Sequence, residues 1–318
     1  MQPKNLIAAA ALAAALPLAA PVAAIAETVI GVSIPAATHG WAGGMNFHAR
    51  TAIERLEETY PELDFVLATA SDPGKQVNDI EDMVATRNID ALVVLPFESE
   101  PLTGPVKRVK ESGAWVTVID RGLSEDGIED LYVAGDNPGF GRVAGEFFVE
   151  NLPEGGNIVV LRGIPTTIDN ERVAAFEAAI EGSGITILDM QHGNWNRDDA
   201  FAVMQDYLSK YPEIDAVWAS DDDMAVGAIA AIEQAGRSDE MWVLGGAGMK
   251  EMIKRLVDGD TAQVPANVTY PPSMSATAIE LTALNFVSSA PVSGRFIIGS
   301  VLVTPENAEK FYFPDSPF

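Results

Sequence analysis

Short runs of β-branched and apolar residues alternate along the chain with longer stretches in which apolar residues recur at helical spacing. The short runs predict buried strands, and the longer stretches predict amphipathic helices. Strands are predicted at 28–33, 65–69, 91–96 and 115–120, and then at 131–134, 158–162, 185–191, 216–220 and 242–245. Helices are predicted at 41–59, 74–87, 101–112, 138–151, 170–181, 198–210, 223–235 and 250–258.

This alternation of strand and helix indicates an α/β protein. Continuous apolar strands are typical of parallel sheets that helices cover on both faces. Because the pattern restarts after Asp120, we predict two similar Rossmann-like lobes. The tail differs, since 262–270 and 295–303 predict extended segments and 271–289 predicts a long helix. A tail of this size is too small for a third domain, so we expect it to complete the two lobes and to cross between them more than once.

Residues 1–26 predict a secretory signal peptide. A short polar start with Lys4 precedes an apolar run rich in Ala and Leu, and Ala24-Ile25-Ala26 has the small residues of a cleavage site. The alternative is an N-terminal membrane anchor, but Pro17 and Pro21 interrupt the run and favour the signal peptide. No later apolar run approaches the ~20 residues that span a bilayer. We therefore expect a secreted, periplasmic protein.

The composition excludes several classes of function. The 318 residues include 20 Lys and Arg against 46 Asp and Glu, and this net charge of −26 repels nucleic acid phosphates. The absence of cysteine excludes disulfides, thiol catalysis and Cys-based zinc sites. The acids of 221–223 point in different directions at a helix start, so we expect Asp222 and Asp223 to cap that helix rather than to bind a metal. We predict neither a metal nor an organic cofactor.

Polar and aromatic residues follow the predicted strands. In open parallel sheets, ligands bind beyond the carboxyl ends of the strands. Carboxylates and amides bridge neighbouring hydroxyls, a guanidinium donates in a fixed fork, and aromatic faces pack on sugar C–H groups. The set contains no cluster of metal ligands and no nucleophile–base pair. The candidate ligand-binding residues are His39, Trp41, Asp120, Arg121, Asn170, Trp195, Asp221 and Asn267.

Three segments carry a resemblance to a known family. They are Val-Ile-Asp-Arg at 118–121, Asn-Glu-Arg-Val-Ala-Ala-Phe at 170–176, and Trp-Ala-Ser-Asp-Asp-Asp-Met-Ala-Val-Gly-Ala at 218–228. With them the chain resembles the periplasmic sugar-binding proteins of the ribose-binding type, whose core is shared with LacI-type repressors. The resemblance extends over nearly the whole chain after residue 26, and the third segment is the most specific.

The resemblance implies a periplasmic binding protein of type I, with two lobes joined by three crossings and a hinge that closes on the ligand. We expect the first lobe to comprise 27–134 plus 268–294 and the second to comprise 135–267 plus 295–318. The implied partners are a sugar or polyol and the membrane permease subunits of an ABC importer. A chemoreceptor is left open as a further partner, and we expect a monomer.

The resemblance also assigns roles to single residues. Trp41 and Trp195 fall near aromatics that pack on the sugar, and Asp120 and Arg121 match a pair that hydrogen-bonds hydroxyls. Asp221 falls on a binding Asn or Asp, and Asn267 falls near a binding Gln. The family pattern is broken twice, since Asn170 replaces an Arg, and Gly246-Ala247 replaces an aromatic followed by a binding Asp. The implied ligand is therefore a sugar alcohol or a monosaccharide other than ribose.

Three functions compete for such a chain. We predict a receptor that binds its ligand without chemistry, and hence no enzyme. The alternative is an exported carbohydrate-active enzyme with Asp120 or Asp221 as the acid–base group, although neither Gly-x-Ser-x-Gly nor His-Glu-x-x-His occurs. A repressor would need a basic helix-turn-helix where residues 1–26 stand, and we discard it.

Overall fold

The computed structural model describes residues 27–37 and 40–318, so the predicted signal peptide at 1–26 lies outside the described residues. With strands numbered in chain order, the first sheet has six strands in the spatial order β2-β1-β3-β4-β5-β11. These are β1 (Thr28–Pro35), β2 (Leu63–Ala70), β3 (Ala91–Val94), β4 (Trp115–Ile119), β5 (Leu131–Gly135) and β11 (Gly294–Ile298).

The second sheet repeats this arrangement in the order β7-β6-β8-β9-β10-β12. Within it, β10 and β12 are antiparallel and the other neighbours are parallel. Its strands are β6 (Gly156–Arg162), β7 (Ile185–His192), β8 (Ala216–Ala219), β9 (Trp242–Ala247), β10 (Asn267–Thr269) and β12 (Leu302–Val303). The prediction of two similar α/β lobes with largely parallel sheets is confirmed.

Helices follow most of the strands and cover the sheets. They are α1 (Gly40–Thr59), α2 (Pro73–Asp82), α3 (Ser99–Glu111), α4 (Asn137–Asn151), α5 (Thr167–Ile180), α6 (Arg197–Lys210), α7 (Asp222–Gln234), α8 (Lys250–Asp258) and α9 (Met274–Val287). A π-helical turn at Met83–Arg87 extends α2, and a 3-10 turn lies at Ala308–Phe311. Side-chain caps begin several of them, because a carboxylate, amide or hydroxyl oxygen accepts from a free backbone N–H of the first turn. These caps are Asp72, Asp136, Thr166, Asn196 and Asp221.

Three crossings join the lobes within the described residues. They lie between β5 and α4, between β10 and α9, and between β11 and β12. The predicted extended segment 295–303 is thus divided, because Gly294–Ile298 pairs with β5 and Leu302–Val303 pairs with β10. Assigning 295–298 and Gly135 to the second lobe was wrong, since these residues belong to the first sheet. Assigning 268–269 to the first lobe was also wrong, since they pair with β9 in the second sheet. The other predicted lobe bounds stay predictions.

Candidate functional site

A cavity lies where the carboxyl ends of the two sheets meet. It holds about 380 Å³ of empty space, part of it open to solvent. Its lining residues come from both lobes and from the crossing after β10, and they are Trp41, Asp120, Arg121, Ile168, Arg172, Trp195, Asp221, Ala247 and Tyr270.

The first lobe contributes residues that follow β1 and β4. Trp41 is the second residue of α1, and its indole Nε1 donates a hydrogen bond of 2.9 Å to the carbonyl of Tyr270. Asp120 and Arg121 directly follow β4. The Arg121 Nη1 donates to the carbonyl of Phe97 at 2.8 Å, which holds the guanidinium beside the cavity. All three positions agree with the rule that ligands bind beyond the strand ends.

Left-handed backbone is concentrated at this cavity. Among the described residues, five non-glycine residues have positive φ, and three of them line the cavity: Asp120 (55°), Trp195 (53°) and Ala247 (98°). Aspartate tolerates this conformation, whereas a tryptophan or an alanine pays a steric cost for it. Such strain persists where the surrounding structure enforces it, and it is common at binding sites.

Trp195 forms an aromatic wall that a glycine makes possible. A Cβ at Gly163 would lie 2.1 Å from atoms of the Trp195 indole, so only a residue without a side chain leaves room for the ring. Trp195 is 8% exposed, and its buried Nε1 has no hydrogen-bond partner among the described residues. A buried donor of this kind is costly unless another molecule supplies an acceptor.

Arg172 is the main cavity residue that was not among the predicted candidates. It is 5% exposed, and it donates from Nε to Asn137 Oδ1 and from Nη1 to the Ser220 carbonyl, both at 2.9 Å. Its guanidinium also lies 4.5 Å from the ring centroid of Phe140 and 4.3 Å from that of Tyr270. The prediction followed the segment after the strand 158–162 only as far as Asn170, whereas Arg172 lies in the second turn of α5.

Asp221 is the carboxylate of the second lobe in the cavity. It follows β8 and caps α7, accepting from the backbone N–H of Met224 at 3.3 Å. Burial, together with the nearby charge of Asp223, raises the pKa of Asp221 to about 7. With its pKa raised in this way, the carboxyl group can donate a hydrogen bond in its protonated form and accept hydrogen bonds in its ionised form.

The two following acids have structural roles that differ from the predicted caps. Asp222 accepts hydrogen bonds from the backbone N–H of Gly248 at 3.0 Å and of Met249 at 2.7 Å, and burial raises its pKa well above the usual range. Asp223 pairs with Arg197 at 3.1 Å and accepts from the backbone N–H of Gly40 at 3.2 Å. The prediction that these two acids cap α7 was wrong, because the residue with extended backbone before the first turn is Asp221.

In the described part of the chain, no group of three or more His, Asp or Glu is arranged to hold a metal.

The structure brings five of the eight predicted candidates together around the cavity, and these are Trp41, Asp120, Arg121, Trp195 and Asp221. Asn170 is exposed on α5, where its Oδ1 accepts from Arg162 Nη2 at 2.6 Å. It does not line the cavity, because the helical turn that carries Arg172 inward directs residue 170 outward.

Asn267 also lies outside the cavity lining, and His39 falls outside the described residues. Asn267 is fully buried, donates to Asp222 Oδ1 at 2.6 Å and accepts from the N–H of Gly248 at 3.2 Å. The resemblance placed it near a binding Gln, within the predicted extended segment 262–270, and it is the first residue of β10. The residue that follows this strand into the cavity is Tyr270, whose position after β10 is the signal that would have found it.

Comparison with known proteins gives a family and several relatives. The profile of the periplasmic binding protein domain matches residues 30–285. The D-ribose/D-allose-binding protein of Pseudomonas aeruginosa is 30% identical over 195 residues, which cover 59% of this chain and 61% of that relative. The ribose import binding protein RbsB of Escherichia coli K12 is 28% identical over 242 residues, covering 76% of this chain and 80% of that protein.

A solved structure is similar over most of its length. An ABC transporter solute-binding protein of Mycobacterium smegmatis, solved with bound glycerol, superimposes with a TM-score of 0.78 at 28% sequence identity. The similarity covers 91% of this chain and 98% of that one.

Proposed function

Because the chain belongs to the periplasmic binding protein domain family, we propose that it captures a monosaccharide or a sugar alcohol between its two lobes and releases it unchanged to an ABC importer. The relatives named above support this, since their names record ribose and allose binding and the structural neighbour holds glycerol. The chemistry of the cavity supports the same class of ligand.

One observation carries the proposal. Two buried tryptophans, two carboxyl groups and two guanidinium groups line a single cavity between the lobes. A polyhydroxylated ligand needs this combination, because its hydroxyls both donate and accept while its C–H faces are apolar. Each ligand polar group left unmatched in such a site costs about 1–3 kcal/mol, so the arrangement of these side chains sets the specificity.

Export and delivery complete the proposal. Residues 1–26 act as the signal peptide of a periplasmic protein, and membrane permease subunits receive the ligand. In the described part of the chain, no helix has the length and apolar character needed to cross a bilayer. We propose that the protein acts as a monomer, and a chemoreceptor remains a second candidate partner. Hinge bending at the three crossings would open and close the cleft.

The test is a thermal-shift screen of the purified protein against pentoses, hexoses, sugar alcohols, inositols, glycerol and sugar acids. A ligand that binds only the folded state raises the melting temperature by mass action. We expect a large shift with one stereochemical set, and recovery of that ligand unchanged after incubation. No shift with any member would refute the carbohydrate proposal, and conversion of the ligand would favour the enzyme alternative.

A further inference from the structure

Tyr270 is joined to cavity residues of both lobes. It follows β10 on the crossing from the second lobe to the first and is 2% exposed. Its carbonyl accepts from the Trp41 indole at 2.9 Å, and its hydroxyl donates to Oδ1 of Asp120. On the side of the second lobe, the Arg172 guanidinium lies 4.3 Å from the centroid of its ring. One side chain on a hinge crossing therefore contacts both lobes at the cavity.

The orientation of the Tyr270 ring is fixed by its neighbours. Arg172 packs on the ring, and Phe140 meets it edge to face with centroids 6.1 Å apart. A Cβ at Gly135, the last residue of β5, would lie 2.1 Å from a ring atom, so the ring fills space that only glycine leaves open. A close-packed ring has few alternative rotamers, and the hydroxyl is thereby held toward Asp120.

The Asp120 carboxylate is constrained in the same way. The residue is 5% exposed with φ of 55°, and its carbonyl accepts from the hydroxyl of Tyr132. Its Oδ1 receives the Tyr270 hydroxyl, whereas no described residue donates a hydrogen bond to Oδ2. The two carboxylate oxygens are therefore in different environments before any ligand is considered.

We propose that Tyr270 is a positioning residue for Asp120. Its hydroxyl occupies Oδ1 of Asp120 with a hydrogen bond, so that Oδ2 is the oxygen that faces the ligand. This inference rests on the proposed function. A carboxylate with both oxygens open bridges two neighbouring hydroxyls, whereas Asp120 held in this way selects one hydroxyl at one position. A ligand without that hydroxyl loses the Asp120 contact, while other hydroxyls are left to Asp221 and the two arginines.

The first arm of the test needs no ligand. Melting temperatures are measured for the wild type, Asp120→Ala, Tyr270→Phe and the double variant. Each single change removes one member of the Tyr270–Asp120 hydrogen bond and leaves the other without it, whereas the double change removes both members. We therefore expect the double variant to melt higher than the sum of the single shifts predicts. Strictly additive shifts would overturn the pairing. Asp120→Asn keeps an acceptor for the hydroxyl and should retain the coupling to Tyr270→Phe.

The second arm measures affinity for the carbohydrate that gives the largest shift in the panel. We expect Tyr270→Phe to weaken binding about 10-fold in the wild-type background and less than about 2-fold in the Asp120→Ala background. Equal factors in both backgrounds would show that Tyr270 acts independently of Asp120 and would overturn the inference.

Tyr207→Phe is the matched control for this arm. Tyr207 is fully buried in the second lobe, and its hydroxyl donates to the Val160 carbonyl at 2.9 Å, away from the cavity. It should lower the melting temperature without changing the affinity. If the wild type binds no member of the panel, the proposed function fails, while the melting-temperature arm still decides whether Tyr270 holds Asp120.

Discussion

Asp120 and Ala247 occupy equivalent positions in the two lobes, and their side chains are chemically opposite. The orders β2-β1-β3-β4-β5-β11 and β7-β6-β8-β9-β10-β12 make β4 the counterpart of β9. Asp120 follows β4 and Ala247 ends β9, and both have positive φ. The first lobe thus presents a carboxylate where the second presents a methyl group. The repeated fold reproduces the backbone position and leaves the chemistry of each lobe to its own side chains.

The carboxylate of the second lobe comes from a different strand and has a different environment. Asp221 follows β8, which is the counterpart of β3. Burial and the charge of Asp223 raise the pKa of Asp221 to about 7, whereas Asp120 receives the hydroxyl of Tyr270 as a donor. The two acids of the cavity therefore lie in different environments. Asp120 of the first lobe is the acceptor whose orientation is fixed by the hydrogen bond from Tyr270.

The largest effect is expected for Asp120→Ala, which makes the two equivalent positions alike. It removes a buried acceptor from the ligand and from the Tyr270 hydroxyl. Since hydrogen bonds to charged groups contribute about 1.5–3 kcal/mol, affinity should fall about 10- to 100-fold. Tryptophan fluorescence titration measures this change, and an affinity within 2-fold of wild type would refute the role given to Asp120.

Asp221→Asn tests the raised pKa of the carboxyl group in the second lobe. The pKa of Asp221 in the folded protein, about 7, lies above its ordinary value of 3.8, so the native state binds the proton more tightly than the unfolded state. The stability that the protonated Asp221 carboxyl contributes to the folded protein is therefore lost as pH rises from about 4 to about 7. The variant should melt several degrees above wild type at pH 8, and the difference should shrink at pH 5. A difference independent of pH would contradict this assignment.

Two asparagines of the second lobe, one buried and one exposed, are expected to differ in their contribution to the free energy of unfolding. Asn267→Ala should lower the free energy of unfolding by about 1–3 kcal/mol, because the buried Asp222 loses its amide donor. Asn170→Ala serves as the control, since Asn170 is exposed, and it should change stability by less than about 0.5 kcal/mol. Urea denaturation measures both values, and similar losses would show that the exposed and buried positions were misassigned.

Apart from the control substitutions, the smallest effect is expected for Ala247→Gly. Glycine adopts φ of 98° without the clash that a Cβ causes, so the variant should be about 1 kcal/mol more stable. Ala219→Gly, at the end of β8 in ordinary backbone, should instead lose about 0.5–1 kcal/mol. If both substitutions destabilise equally, the left-handed position of Ala247 carries no strain.

The alternation of apolar runs was enough to predict the two sheets, because β3 and β8 are fully buried and read as continuous apolar segments. The tail was less predictable. The segment 295–303 has the pattern of one strand, yet it divides between the sheets, since strand pairing depends on distant partners in β5 and β10. The local pattern of apolar residues predicts a strand but does not say with which strand it pairs.

The site shows the same limit. Asp120 was found because it directly follows β4, and Trp195 because it lies in the loop after β7. Arg172 was missed because helical periodicity alone does not say which face of α5 meets the cavity. Asn267 was selected within a predicted extended segment, 262–270, although the residue that enters the cavity there is Tyr270. The bond between Tyr270 and Asp120 joins residues 150 positions apart and needs the folded crossing to be seen.

The central claim is that the cavity between the lobes binds a polyhydroxylated ligand, and isothermal titration calorimetry of the wild-type protein tests it most directly. With the carbohydrate that gives the largest thermal shift, we predict saturable heat that fits a single site per chain. Absence of saturable heat with every carbohydrate that the screen includes would contradict the account, and the family would then describe the fold of this chain without its ligand.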